Sequence, residues 1–523
     1  MTEVTEKYSK RWIALFFLSL SLLIISLDNT VLNVALPSIS KDLGASSSQL
    51  QWIVDSYVLV FAALLLTMGA ISDRVGRKKA LQVGLVVFGV CSLWAALSAS
   101  TGMLISARAF CGLGGAIIMP STLSLITSMF RDSKERAQAI AIWAGVFGLG
   151  AGTGPVLGGW LVEHYHWSAV FYINIPVAAV GLIGGYFFHQ ESKDEHAPRP
   201  DIPGVVLSIT GLLALVYGII QAGEKSWTDH TVLASLVAAV VLLAAFAWWE
   251  RHTDNAMLPT TLFKNMSFTG ANIALTLVMF SMFGIMFFMG QYLQSVQGYS
   301  PFQAGLRLLP MAPISLVTAV SSAQVAKRLG TKVTVSLGIM LAAVGLFYLS
   351  RITEVDTPYP VLLGGMALVS AGMGTAMSPA TNSIMGSVPV KKAGVGSAMN
   401  DTTRQVGGAL GVAVLGTIAN TEYLNATAAL KTSIAGIPGS EEIYAGVRSS
   451  IQGAHIVAEK MPDPGLAQGI LDVANQGFVS GMVDGLLIAS IVMALTALVT
   501  FVILPRDVRK PEDDEEESGD QPV

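Results

Sequence analysis

The chain has 523 residues, of which 52% are hydrophobic and only 13% charged, with a formal net charge of −4. That charged share is about half of what a soluble globular surface carries, so the apolar excess must be solvated by lipid, as in an integral membrane protein. Cys91 and Cys111 both lie in apolar runs and read as small core residues, which excludes a disulfide framework or a zinc ribbon. The seven His fall in loops or at segment edges without H-E-x-x-H spacing, so no metal site and no metalloenzyme is expected. No G-x-x-x-x-G-K-[ST] occurs, so the chain does not drive itself with ATP through a P-loop. Neither an enzyme, a cofactor nor a nucleic-acid partner is expected.

Apolar segments of about 20 residues mark spanning helices. They fall at 12–36, 50–70, 80–98, 102–129, 137–161, 169–188, 204–222, 232–249, 269–290, 304–324, 333–350, 360–385, 402–420 and 481–504, fourteen in all. The first run, from Trp12, is too long for the apolar core of a signal peptide and is read as a retained helix. An even count puts both termini on one side. With the N-terminus inside, the inner segments hold 22 of the 31 Lys and Arg and the outer segments hold 6, while Arg108, Arg307 and Arg404 lie within spans. That bias predicts a multi-pass protein of the cytoplasmic membrane with both termini in the cytoplasm. Trp12, Trp52, Trp160, Trp167, Trp227, Trp248 and Trp249 sit near predicted ends and read as interfacial anchors.

In chain order, span 1 carries Asp28, span 2 carries Asp55 and span 4 carries Arg108. Ionisable residues at bilayer depth are expensive and need a reason. Counting from the predicted outer ends puts all three about 8–12 Å deep, a candidate charge cluster. Such a group loads and releases protons or cations; the alternative is a structural ion pair. The loop Ser72-Asp73-Arg74-Val75-Gly76-Arg77-Lys78-Lys79 has a weaker echo in Ala326-Lys327-Arg328-Leu329-Gly330-Thr331-Lys332. This repeat predicts two homologous halves in parallel orientation. The expected organisation is a six-helix bundle over 1–188, two linker helices within 189–268, and a second six-helix bundle over 269–504.

Span 5 holds the run Gly148 to Gly159 with Pro155 inside it. Small residues there admit a close helix neighbour and the proline permits a bend, so the run reads as a hinge or tight gate contact rather than a phosphate loop. Phe16, Phe17, Met279, Phe280, Met282, Phe283, Met286, Phe287, Phe288 and Met289 supply adaptable apolar surface, facing ligand or lipid. At the start of span 13, Asp401 and Arg404 stand i, i+3 and read as a structural pair on one helix face. Glu163, Glu422 and Asp484 read as solvated interfacial acids. The long outer segment 421–480 places Ile443, Val447, Ile451 and Ile456 as in an amphipathic helix between breakers, read as a cap on the outer mouth. The tail 505–523 has eight acidic against three basic residues, a net of −5 that leaves the rest of the chain at +1. It reads as a disordered cytoplasmic extension.

These motifs, in this order, resemble a known family. Gly69 to Lys79 resembles the loop between helices 2 and 3 of the major facilitator superfamily, and Leu104 to Ala116, with Arg108 and Gly112, its helix 4 motif. Gly150 to Gly159 with Pro155 resembles the antiporter motif of helix 5. Leu27 to Pro37 is similar to helix 1 of the fourteen-helix drug:proton antiporters, and Gly394 to Gly411, with Asn400, Arg404 and Gln405, to a late motif of that group. Trp52 to Tyr57 is similar to the start of helix 2 in its QacA-like and LfrA-like multidrug exporters.

The resemblance implies an all-α polytopic protein of the major facilitator fold, two six-helix bundles plus two extra helices. It implies a monomer in the lipid bilayer that needs no cofactor and exchanges an amphipathic, cationic small molecule for protons. Asp28 and Asp55 carry over as coupling or cation-binding acids and Arg108 as the relay arginine. Gly69, Asp73, Arg74, Gly76 and Arg77 carry over as the inner gate loop. Gly150, Gly154, Pro155, Gly158 and Gly159 carry over as the antiporter hinge, and Asn400, Asp401, Arg404 and Gln405 as the late motif. Some exporters of divalent cations carry a further membrane acid in the stretch that here is 304–324, which has none, so divalent dyes are less expected as substrates than monovalent ones. The rival readings are an exporter of one endogenous lipid or metabolite, and a non-transporting membrane sensor.

Overall fold

The computed structural model describes residues 10–130, 132–193, 201–253, 260–388, 393–435 and 437–506, so the acidic tail beyond Arg506 lies outside the described residues. Among them the regular structure is entirely helical. The first helices are α1 (Arg11–Leu43), α2 (Ser47–Val75), α3 (Arg77–Ala96), α4 (Thr101–Met129) and α5 (Ser133–His164). They are followed by α6 (Ala169–Tyr172), α7 (Asn174–Phe188), α8 (Ile202–Glu224) and α9 (His230–His252). Next come α10 (Met266–Gln291), α11 (Pro301–Leu308), α12 (Met311–Leu329), α13 (Thr331–Ile352) and α14 (Tyr359–Gly386). The chain ends with α15 (Ala393–Ala428), α16 (Leu430–Ser433), α17 (Ser440–Ser449), α18 (Ile451–Glu459) and α19 (Pro464–Ile503).

Among the described residues, twelve stretches are long and apolar enough to cross a membrane. With α5 and α15, of 32 and 36 residues, they give the fourteen expected spans. Local chemistry sets the ends. Gly44, in the left-handed region at φ 64°, stops α1. Capping boxes start α2 (Ser46 with Gln49) and α11 (Ser300 with Gln303). Asp201, Asp229 and Asp463 cap α8, α9 and α19.

Several boundaries differ from the periodicity. α1 runs through Pro37 to Leu43 rather than ending at 36, because polar Ser38, Ser40 and Lys41 continue the helix past the apolar run. The segment 304–324 is two helices, broken where Pro310 offers no N–H and Pro313 follows. The segment 481–504 is the end of the 40-residue α19. The amphipathic stretch after Gly439 is not one helix. It divides into α17 and α18 at Ser450, whose extended backbone and hydroxyl cap the second helix on Gly453 N–H.

Two packed sets emerge. α2 packs on α4, α1 on α5 and α7, and α3 on α4 and α7. In the later set α13 packs on α14 and α19, α10 on α15, and α12 on α14. The sets meet along two seams, α2 with α15 and α5 with α11, and the α8–α9 hairpin lies against both α2 and α15. Each described hydrogen bond joining the two sets lies at the end away from the chain termini, hereafter the distal side. There Gln294 donates to Val34 O at 2.9 Å and the Ser40 and Ser450 hydroxyls pair at 3.2 Å. Gln452 also donates to Ser295 at 3.1 Å, so α18 covers the distal end of both sets.

The aromatic and methionine run of α10 is chiefly core. Met279, Phe280, Phe287, Phe288 and Met289 are buried, and Gly408 and Gly411 of α15 lie against Phe283 and Phe280. Trp167 is not an interfacial anchor. It is buried and donates to Asp42 at 2.6 Å.

Candidate functional site

The expected cluster of three charges is divided. Asp28, in the middle of α1, and Arg108 of α4 are hydrogen bonded as an ion pair, each side chain 1% exposed. Asp28 lies fifteen residues before Leu43, about 22 Å from the end of α1, because the helix continues beyond the predicted end. Its second oxygen accepts the Asn174 side-chain N–H at 3.1 Å, and the same nitrogen reaches Ser92 at 3.3 Å. Arg108 also donates from Nε to Ile53 O at 3.2 Å, and its guanidinium lies 4.4 Å from the Tyr57 ring centroid. Four elements, α1, α2, α4 and α7, therefore converge on one buried ion pair. Gly112, one turn beyond Arg108, lets α4 meet α2, since a Cβ there would lie 2.4 Å from Tyr57 O.

Asp55 is not part of this network. It is fully buried in α2, and neither carboxyl oxygen has a hydrogen-bond partner among the described residues. Asn174 is the site residue that sequence reasoning missed. A lone amide in the apolar run Ile173-Asn174-Ile175 was the available signal, since an amide at bilayer depth needs a partner.

The span 5 glycines serve two faces. Gly150, Gly154 and Gly158 face α1, where added Cβ atoms would lie 2.8 Å from Ser26, 2.0 Å from Thr30 Oγ1 and 2.8 Å from Val31. Gly159 meets the other set, with Pro301 O at 2.3 Å from its ideal Cβ position. Pro155 contributes its carbonyl to the same seam, lying 2.2 Å from a Cβ at Gly305. Glycine is thus what lets α5 touch α1 and α11 at once.

Around the loop after α2, Asp73 and Arg77 pair at 2.6 Å, four residues apart across the break at Gly76. Gly76 adopts φ 123° and its ideal Cβ position lies 2.7 Å from Glu191 Oε1, so both backbone and space require glycine. Glu191 accepts Lys78 N–H at 3.1 Å and Lys79 N–H at 3.3 Å, at the start of α3. The described hydrogen bonds of this loop stay within its own set. Gly69 packs near Pro120, and the Ser72 and Ser121 hydroxyls pair at 2.8 Å, which fastens the end of α2 to α4.

In α15 Asp401 and Arg404 attract one another but make no direct hydrogen bond or ion-pair contact. Arg404 donates to Thr381 of α14 at 3.2 Å, while Asp401 accepts from Asn400 at 3.5 Å. Gln405 is half-buried. Thr403 donates to Asn272 at 3.3 Å, beside a largely apolar recess of ≈ 450 Å³ lined by Phe263, Asn272, Thr276, Leu277 and Thr403 among others.

Comparison with known proteins identifies the family and the fold. A family model described as Major Facilitator Superfamily matches residues 18–412. Multidrug efflux pump LfrA of Mycolicibacterium smegmatis is 35% identical over 504 residues, covering 96% of this chain and 98% of that protein. The tetracenomycin C resistance and export protein of Streptomyces glaucescens is 33% identical, over 98% of this chain and 94% of that protein. Among solved structures, a bacterial homolog of the human lysosomal transporter Spinster, inward-facing and occupied, aligns with TM-score 0.64 at 16% identity, covering 94% of this chain and 96% of that one. The xylose transporter XylE from E. coli, in an inward open conformation, aligns with TM-score 0.59 at 13% identity, covering 97% and 98%. At those identities the structures speak for the fold alone.

Proposed function

Because the chain belongs to the Major Facilitator Superfamily, we propose that it exports amphipathic, cationic small molecules across the cell membrane in exchange for protons. It is a membrane transporter, and its relatives are efflux and export proteins by name. The observation that carries the proposal is the buried Asp28–Arg108 pair with Asn174 on the second carboxylate oxygen. A carboxylate held by two donors on neighbouring helices can exchange its ion pair for a proton. When Asp28 takes a proton, the Arg108 guanidinium keeps Ile53 O and the Tyr57 ring but loses its anion. Helix contacts that depended on the pair then loosen, and so proton loading is coupled to helix movement.

Asp55 is the second proton-handling acid in this reading, supported by its burial without a partner. The working bodies are two six-helix bundles over 1–188 and 269–504, with a pair of linker helices between them. Both termini are cytoplasmic, supported by the Lys and Arg bias, so the distal side faces outward and is the closed side here. The loop carrying Asp73, Arg74 and Arg77 then engages the other bundle when the cytoplasmic side closes, and the glycine face of α5 is the hinge surface. The protein works as a monomer, with the proton gradient in place of any cofactor.

The test is dye export from vesicles under an imposed proton gradient. Asp28→Asn should still insert, at lower stability than the parent, and abolish the export. Export at the parental rate overturns the coupling assignment.

A further inference from the structure

Two carboxylates on the distal side take no part in the buried site. Glu163, at the end of α5, accepts the Ser300 hydroxyl at 2.6 Å and the Phe302 N–H at 3.0 Å. These are the cap and first turn of α11, in the other set. Glu224, the last residue of α8, accepts the Ser48 hydroxyl in the first turn of α2. The same end of α8 is bound to α15, where Thr417 donates to Ile219 O at 3.0 Å and Asn420 to Gly223 O at 3.3 Å. At Gly223 a Cβ would lie 2.9 Å from Thr417, so α8 and α15 are in direct contact. Each seam between the sets therefore has one carboxylate seated on the first turn of a helix across it, Glu163 directly and Glu224 by way of α8.

Capping alone does not require either acid. α11 and α2 already have complete capping boxes of their own, Ser300 with Gln303 and Ser46 with Gln49. What the acids add is an attachment between bodies. An anion at a helix N-terminus gains from charge-assisted hydrogen bonds and from the helix dipole. The other contacts across the seams are largely neutral, such as Gly159 on Pro301 and Gln51 on Gly416. Lys41 and Glu459 also cross, but at 3.8 Å, beyond hydrogen-bond length, whereas Glu163 and Glu224, exposed like them, are hydrogen bonded to the helix start they meet.

We propose that Glu163 and Glu224 are the latches of the distal gate, holding that side shut and releasing for it to open. The α8–α9 hairpin is then a clip that travels with α15 and lets go of α2, rather than a passive linker. The proposal rests on the alternating-access reading above.

The experiment uses the full chain in vesicles with Cys91→Ala and Cys111→Ala as background and Gln51→Cys as reporter, a position 1% exposed against Gly416. Labelling by a membrane-impermeant maleimide reads opening of the distal side. Glu163→Gln and Glu224→Gln should each raise the labelling rate at least about threefold, with a larger rise for the double variant. Ser300→Ala, which leaves the Phe302 N–H bond to Glu163, should give part of the rise seen with Glu163→Gln and add less than its own effect to it, and Glu459→Gln should leave the rate unchanged. Unchanged labelling in inserted Glu163→Gln and Glu224→Gln protein overturns the proposal, as does full additivity of Ser300→Ala with Glu163→Gln. Should a Gln variant fail to insert, Ser300→Ala and Ser48→Ala test the same latches with both acids in place. The labelling needs neither drug nor gradient, so a failure here leaves the export assignment standing, and a failure of dye export leaves the latch result readable.

Discussion

Asp28 and Arg108 form an ion pair between α1 and α4 that is closed to solvent on both sides, with each side chain 1% exposed. Removing one partner of such a pair is far more damaging than removing both, because the survivor is a buried charge without compensation. Arg108→Ala should therefore destabilise the protein by about 3–5 kcal/mol. Asp28→Asn with Arg108→Gln should recover most of that stability, measured by thermal unfolding in detergent, and should still not transport. Recovery of proton-driven export in the double variant would refute a coupling role for the pair.

The α1–α5 contact offers a second test. Gly154 has no room for a methyl group, whose carbon would lie 2.0 Å from Thr30 Oγ1, whereas nothing lies within 4 Å of a Cβ at Gly145 in the same helix. Gly154→Ala should cost about 1–3 kcal/mol by overpacking. Gly145→Ala should be neutral or slightly stabilising, since Ala is the better helix former. Equal unfolding temperatures for the two variants would contradict the assigned packing.

For the loop after α2, stability and transport should separate. The Asp73–Arg77 pair is partly exposed, at 33% and 19%, so its loss should change stability by less than about 1 kcal/mol. Asp73→Asn should nevertheless slow export strongly if the loop closes the cytoplasmic side. Thermal unfolding and vesicle export on the same preparation decide the matter, and an unchanged export rate would remove the gate assignment.

His189, just past the end of α7, is 3% exposed and contacts Ala14 O at 3.1 Å. Burial, aided by nearby Lys78, lowers its pKa from 6.5 to about 4. The neutral ring is thus the native form. Its contribution to stability is present above the unfolded pKa near 6.5 and is lost as pH falls toward about 4. His189→Gln should flatten the dependence of unfolding temperature on pH between those values. A parental slope retained in the variant would assign the acid sensitivity to other groups.

The sequence by itself determined the membrane class, the number of spans and the two acids and one arginine worth attention. Apolar length and charge placement are local quantities, and lipid acts on them residue by residue. The repeat of the Asp73 loop at Lys327 and the glycines of α5 were legible for the same reason, since close contact demands small side chains wherever the partner lies. Pairing was decided by the tertiary structure alone. Asp28 found Arg108 and Asn174 while Asp55 found no partner, because helix rotation, not depth, selects which side chains meet. Arg404 bonded Thr381 instead of Asp401, three residues away on its own helix, for the same reason. Glu163 read in the sequence as one more solvated acid near a predicted helix end. Only the approach of α11, permitted by Gly159 and Gly305, set it on another helix's first turn and made it a contact between the two sets.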